Sequence, residues 1–336
     1  MQKPLIALAA ATAALAAAPA RAQDAAAFYK GKTINILVGV SAGGEYDLLA
    51  RLTSRHIGKH IPGNPKVIVQ NMTGAGGIVM ANYLANVAAQ DGTYLGGISN
   101  GFQVVQALYP KKIKFDVGKF HFIGAIAPTV ETMVLWHTAG AKTVDEATKK
   151  EIPIGAVSKG SITYAYPALL NELASTKFKI AAGYRGGNNI NLAMENGEVG
   201  GRNNTWSSWK STRPAWLRDK KIVVISYAGP KPKDLPDVPN LLTHAKNEAD
   251  RQLINLVVSG TELGRPLVAP AKTPADRIKA LRAAYKAMVQ DKDFLAEAAK
   301  LKVEVEPVNG EHMEKVVRDV LATPDAVKKR ATQFIQ

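Results

Sequence analysis

Apolar and polar positions along the chain repeat one unit: a short β-rich apolar run, a glycine-rich turn, then apolar residues at helical spacing. Lys32–Val40 (KTINILVGV) shows little polar alternation and predicts a strand buried on both faces. Ser41-Ala42-Gly43-Gly44 follows as a turn, and Leu48, Leu49, Leu52 and Ile57 give 45–59 a helical period. The unit recurs as a strand at 66–70, a Gly-rich turn at 71–77, a small-residue helix at 78–88 and a strand at 93–98. Strands at 122–127 and 133–136 are placed to cross between two halves of the molecule. The second half restarts with a strand at 152–157, the turn Ser158-Lys159-Gly160-Ser161 and a helix to Leu173. A strand at 178–182, the turn 183–187, a helix at 189–195 and a strand at 221–227 complete it. Four prolines within 229–239 mark a surface loop. Thr273 as N-cap and Pro274 as first helical residue open a helix carrying Ile278, Leu281, Tyr285 and Met288, and a short helix spans 291–300. Strands alternating with helices at this spacing predict an α/β fold with a parallel sheet in each half.

Residues 1–22 break the pattern. Lys3 is followed by Leu5–Ala18, almost wholly Ala and Leu, and by the small-x-small site Ala20-Arg21-Ala22. This reads as a secretory signal cleaved after Ala22, which sends the chain to the periplasm. The run is too short to span a bilayer. The sequence has no cysteine, which excludes disulfides, thiolate metal sites, cysteine nucleophiles and a lipoprotein anchor. A length of 336 residues favours two domains. The formal charge is +15, and +13 once Lys3 and Arg21 leave with the signal. Such a balance attracts anions. The basic residues are dispersed, however, with small clusters only at 111–114 and 328–330 and no nucleic-acid motif, so no nucleic-acid partner is expected.

Four glycine-rich turns stand at strand-to-helix junctions: 41–44, 73–77, 158–161 and 184–187. Turns of this kind aim backbone N–H groups out of helix N-termini, where the dipole is positive, and together they suggest an anion site. Gly74-Ala75-Gly76-Gly77-Ile78-Val79 lacks the third glycine of a dinucleotide fingerprint and no P-loop is present, so a carboxylate fits better than a nucleotide phosphate. Gly97-Ile98-Ser99-Asn100-Gly101 matches the GxSxG elbow, which keeps open a secreted α/β serine hydrolase using Ser99; the other reading is a plain turn. His56 and His60 share a helix face with Arg55 and Lys59, cations that repel a metal, so a solvated face is expected and no metal. Arg202-Asn203-Asn204-Thr205-Trp206-Ser207-Ser208-Trp209 offers either a pocket wall for an anion or a tryptophan-anchored loop.

These segments carry a resemblance. INILVGVSAGGEYDLLAR at 34–51, QNMTGAGGIVMA at 70–81, QDGTYL at 90–95, AAGYRGGNNINLAMENGEVGG at 181–201 and RPLVAPAKTPADRIKALR at 265–282 occur in order. The chain resembles the Bug-type substrate-binding receptors of tripartite tricarboxylate transporters. The resemblance implies a two-lobe periplasmic-binding-protein (Venus flytrap, type II-like) fold with a mainly parallel sheet in each lobe. Lobe one would hold 23–127 with 251–336, and lobe two 128–250. It implies a monomeric receptor without cofactor or catalytic activity. Such a receptor binds a small carboxylate, dicarboxylic or aromatic, between the lobes and delivers it to the transporter's membrane permease subunits. Carried over, the ligand contacts would be Ser41, Ala42, Gly43, Gly44 and Asp47 in the first turn and Gly74, Ala75 and Gly76 in the second. Ser158, Gly160, Ser161, Tyr184, Gly186 and Gly187 would come from lobe two. Ser99, Asn100, Arg185, Arg202, Asn204 and Trp206 join them from the reading of the residues themselves.

The chain also departs from the family pattern. Ala42 and Thr73 replace prolines, and the family's Val-Asp is Val199-Gly200 here. The lost acid and the added Arg185 and Arg202 favour a ligand with a second anionic group over an amino acid.

Overall fold

The structure, a computed structural model, describes residues 25–335. The secretory segment therefore lies outside the described residues. The first sheet contains β1 (Thr33–Val38), β2 (Lys66–Asn71), β3 (Tyr94–Gly97) and β4 (His121–Ala125). The second contains β5 (Glu131–Trp136), β6 (Ile152–Ala156), β7 (Phe178–Ala182), β8 (Gly201–Thr205) and β9 (Ile222–Ala228). The chain then returns to the first sheet with β10 (Leu267–Ala269) and β11 (Val308–Asn309). The strand orders are β11-β4-β10-β3-β1-β2 and β7-β6-β8-β5-β9, one sheet per lobe.

Local chemistry explains the central units. Ile34, Ile36 and Val38 of β1 pack on one face with Leu52, while Leu37 packs on the other with Met80 and Leu84. Burial on both faces is why the run reads as uninterrupted apolar sequence. Helices α1 (Glu45–His56), α2 (Ile78–Asn86), α3 (Ile162–Ala174) and α4 (Gly187–Glu195) follow β1, β2, β6 and β7. In the second lobe Met133 and Leu135 face Tyr166, Leu169 and Leu170, and Val134 faces Ile190 and Trp209.

Three details differ from expectation. Both sheets are mixed: β1 pairs parallel with β2 and β3, and β6 with β7 and β8, but β10, β4 and β11 pair antiparallel, as does β5 with β8 and β9. Of the antiparallel strands, β4, β5, β9 and β10 flank the crossings between lobes, outside the strand–helix–strand units that enforce parallel pairing. Pro274, not Thr273, caps the helix Ala275–Met288, and the buried Thr273 hydroxyl has no partner among the described residues. His56 is buried and bonded to Glu297 at 2.6 Å, and His60 lies 3.3 Å from Asp291. The helix Lys292–Lys300 and its cap thus cover the face expected to be solvated, and no three-ligand metal cluster exists among the described residues.

The helix Glu248–Val258 buries Leu253, Ile254, Leu256 and Val257 in the cluster that holds α3. Gly264 follows at a crossing, with φ 61° and ψ −129°; a Cβ there would lie 2.0 Å from the Ala127 carbonyl oxygen of the neighbouring crossing. Gly264→Ala is expected to cost about 2–4 kcal/mol, from backbone strain and the clash together. Urea unfolding measures this, and a cost below about 1 kcal/mol would mean that the crossings move apart freely.

Candidate functional site in the interlobe cleft

A cavity of about 90 Å³ lies between the lobes and opens to solvent on one side. Its wall is built largely from helix starts. Gly43, Gly44, Glu45 and Tyr46 lead into α1, Gly76 and Gly77 into α2, Ser161, Ile162 and Thr163 into α3, and Gly187 and Asn188 into α4. Four helix N-termini aimed at one space create a positive potential without any side chain.

The turn glycines also let the lobes meet. A Cβ on Gly76 would lie 2.4 Å from Ser158 Oγ, and one on Gly186 would lie 2.7 Å from Ser41 Oγ. Ser41 itself donates to Asn189 Oδ1 across the cleft at 3.2 Å. Ser41, Ser158 and Gly186 thus sit at the seam between lobes, beside the cavity and not on its wall.

Four charged side chains line the cavity, all nearly buried. Glu45 at the start of α1 accepts from Arg265 at 2.7 Å, from Thr205 Oγ1 at 2.6 Å and from Ser207 Oγ at 2.5 Å. Arg265 also donates to the Tyr46 hydroxyl and to Thr205 Oγ1, each at 3.1 Å. This pair is neutral and joins lobe one to two hydroxyls of lobe two.

Arg202 on β8 is different. It is 4% exposed, and among the described residues no carboxylate lies within salt-bridge distance. Its Nη1 donates to the Gly187 carbonyl at 2.8 Å and Asn191 Oδ1 at 2.9 Å, and its Nε to the Asn203 carbonyl at 3.1 Å. The guanidinium lies 5.5 Å from the centre of the Trp209 ring. Gly187 makes this hold possible, since a Cβ there would sit 2.7 Å from Nη1. Burial pulls the Arg202 pKa down to about 9, against the pull of Glu131, so the group stays cationic at neutral pH. Three hydrogen bonds fix the fork while Nη2 has no protein partner among the described residues.

Glu131, the first residue of β5, is 1% exposed. Burial pushes its carboxyl pKa up, outweighing Arg265, Asn203 and Arg202. Sequence reasoning missed it, although a lone acid opening the apolar run ETMVLW was a signal. Arg265 and Glu45 were also missed as site residues, although both lie inside the quoted segments.

Of the expected contacts, Gly43, Gly44, Gly76, Ser99, Asn100, Ser161, Arg202 and Asn204 stand on the cavity wall, as does Gly187. Ala42, Gly74, Ala75, Tyr184 and Arg185 are not on it, and Gly160 lines a separate small groove. Asp47 turns away: burial would raise its pKa, but hydrogen bonds from Arg51, the Gly43 N–H and Asn71 hold it below the usual carboxylate range. It shapes the first turn from behind. Trp206 packs in the lobe-two core and donates to Asp234, and Trp209 is fully buried beside Trp216. The 202–209 segment is the end of β8 and the start of a helix, not a loop; its first residues face the cavity and its indoles pack in the lobe. Gly200, where the family carries an acid, is absent from the wall, and a Cβ there would meet Ile152 at 2.7 Å. Ser99 Oγ accepts from the Gly101 N–H at 3.3 Å, and no histidine is among the described lining residues, so nothing here supports a hydrolase.

A sequence profile described as the tripartite tricarboxylate transporter family receptor matches residues 50–332. A UPF0065 protein of Cupriavidus necator is 26% identical over 334 residues, covering 95% of this chain and 94% of that protein. The periplasmic binding protein BugD superposes with a TM-score of 0.74 at 18% identity, covering 90% of this chain and 99% of BugD. MatC of Rhodopseudomonas palustris with bound malate gives 0.69 at 20% identity, over 91% and 99% of the two chains. The structural likeness establishes the two-lobe binding-protein fold, and the match over most of the sequence establishes the lineage: the chain belongs to the tripartite tricarboxylate transporter receptor family.

Proposed function

We propose that the protein is a periplasmic receptor that captures a small carboxylate in the interlobe cleft and delivers it to the permease of its transporter. The observation that carries this is Arg202: a buried guanidinium, held by carbonyls, unpaired with any carboxylate among the described residues, and facing a cavity ringed by four helix N-termini. A buried cation without a counter-ion is costly, and a ligand carboxylate relieves that cost. Malate, the solute bound by MatC, is likewise a carboxylate. Because Glu45 already neutralises Arg265, one carboxylate anchor is favoured over two. An aromatic ligand draws little support, since Tyr46 is the one aromatic side chain among the described lining residues. Export through residues 1–22 and cleavage after Ala22 belong to the same proposal.

Thermal unfolding against mono-, di-, tri- and aromatic carboxylates tests it. At a hundredfold excess over Kd a ligand adds about 2.7 kcal/mol, a rise of roughly 5–10 °C for lobes of this size. A rise with carboxylates, and none with the matching amides or alcohols, is the expected result. No shift across the panel or with any amino-carboxylate, with protein freed of co-purified ligand, would sink the proposal.

A further inference from the structure

The cavity wall holds a second set of groups without partners. Neither carboxylate oxygen of Glu131 has a hydrogen-bond partner among the described residues. Asn203, fully buried, gives its Nδ2 to the Thr132 carbonyl at 3.2 Å and leaves Oδ1 equally unpartnered. Turning that amide over would set two carbonyl oxygens against each other, so the Thr132 bond fixes its orientation. In the β5–β8 register Glu131 lies opposite Thr205 and Met133 opposite Asn203, which puts Glu131 and Asn203 on the same face of the sheet. Nearby donors are spent elsewhere: Thr205 Oγ1 on Glu45, and Arg265 on Glu45, Tyr46 and Thr205. The result is three buried acceptor oxygens, two of them on an acid, whose neighbouring donor among the described residues, the Asn203 amide, is already given to Thr132.

We propose that Glu131 and Asn203 form an acceptor subsite for the ammonium group of the ligand, so that the captured solute is an amino-carboxylate, with its carboxylate on Arg202. This rests on the receptor reading above and narrows its substrate class. An ammonium supplies three donors and a positive charge, which matches three acceptors and one acid. A hydroxyl supplies one donor. A second carboxylate supplies none and would push the buried Glu131 carboxyl further from its charged form. With the Glu45–Arg265 pair neutral, the remaining ionisable groups of the cavity are one cation and one acid; burial raises the Glu131 pKa, and an ammonium bound beside it would draw the carboxyl into its charged form. The expectation of a second anionic group, drawn from Gly200, is thereby reversed: the acid absent at that position is supplied by β5.

The test is calorimetric titration of the mature protein with pentanoate and with pentanoates bearing a hydroxyl or an amino group at each carbon in turn. At least one amino derivative is expected to bind about ten- to a hundredfold more tightly than its unsubstituted and hydroxyl counterparts, the range for a charge-assisted contact. Glu131→Gln, which keeps the shape and removes the charge, is expected to collapse that ratio. Glu131→Met, which removes both acceptors, should do the same if the first variant folds poorly. Carboxylate binding with no preference for an amino group, or a preference that survives both variants, overturns the ammonium subsite and leaves the receptor standing. If neither this series nor the wider carboxylate panel binds, both readings fail together.

Discussion

Arg202→Gln is expected to weaken carboxylate binding by about 3–4 kcal/mol, a factor of several hundred, while the free protein still folds. The size follows from what the ligand loses. A bound carboxylate at Nη2 would form a charge-assisted bond to a guanidinium that is 4% exposed, and burial strengthens such bonds. The fold should tolerate the change because Arg202 has no carboxylate partner to strand. Removing it leaves the Gly187 and Asn203 carbonyls and Asn191 Oδ1 short of a donor, a penalty partly offset by removing an unpaired buried charge. Arg202→Lys keeps the charge but not the fork, and should fall between wild type and Arg202→Gln. Titration calorimetry gives the affinity and chemical denaturation the stability. Near-wild-type affinity in Arg202→Gln would show that the helix N-termini alone hold the anion, and the anchor would have to be sought elsewhere.

Glu45→Gln is expected to destabilise the protein by about 3–5 kcal/mol and to favour the open cleft, since it strands Arg265 as a buried cation. Glu45 joins two kinds of partner: Arg265 in its own lobe, and Thr205 and Ser207 in the other. The two jobs separate by mutation. Ser207→Ala removes one hydroxyl at the lobe-two end and leaves the ion pair intact, so it should cost only about 1 kcal/mol of stability while still loosening closure. Small-angle scattering of both variants without ligand reads the cleft, through a larger radius of gyration, and urea unfolding reads stability. A Glu45→Gln protein as compact and as stable as wild type would mean that the pair neither holds the lobes together nor depends on its charge.

Much of the molecule was legible residue by residue. The βα units at 33–56, 66–86, 152–174 and 178–195 follow from short apolar runs, glycine at the turn and helical spacing, all local signals. The helices Glu248–Val258, Gly310–Leu321 and Asp325–Phe334 are not announced by an equally clear local pattern. Strands β10 and β11 are three and two residues long and exist through pairing with β3 and β4, which no local pattern announces. Asp47 shows the same limit within the site. Its place in the turn motif suggested a ligand contact, yet its carboxylate is occupied by Gly43, Arg51 and Asn71.

By itself the sequence determined the α/β units, a secretory N-terminal pattern and a family signature, because each is written in neighbouring residues. Only the tertiary structure decided the charge of the cleft. Arg202, Arg265, Glu45 and Glu131 are equivalent as letters, and what distinguishes them is which pairs approach within 3 Å through space. Arg265 finds Glu45, whereas Arg202 and Glu131 each face the cavity without a partner of opposite charge among the described residues. An electrostatic interaction between buried groups depends on distance and solvent access, and both are set by the packing of one lobe against the other.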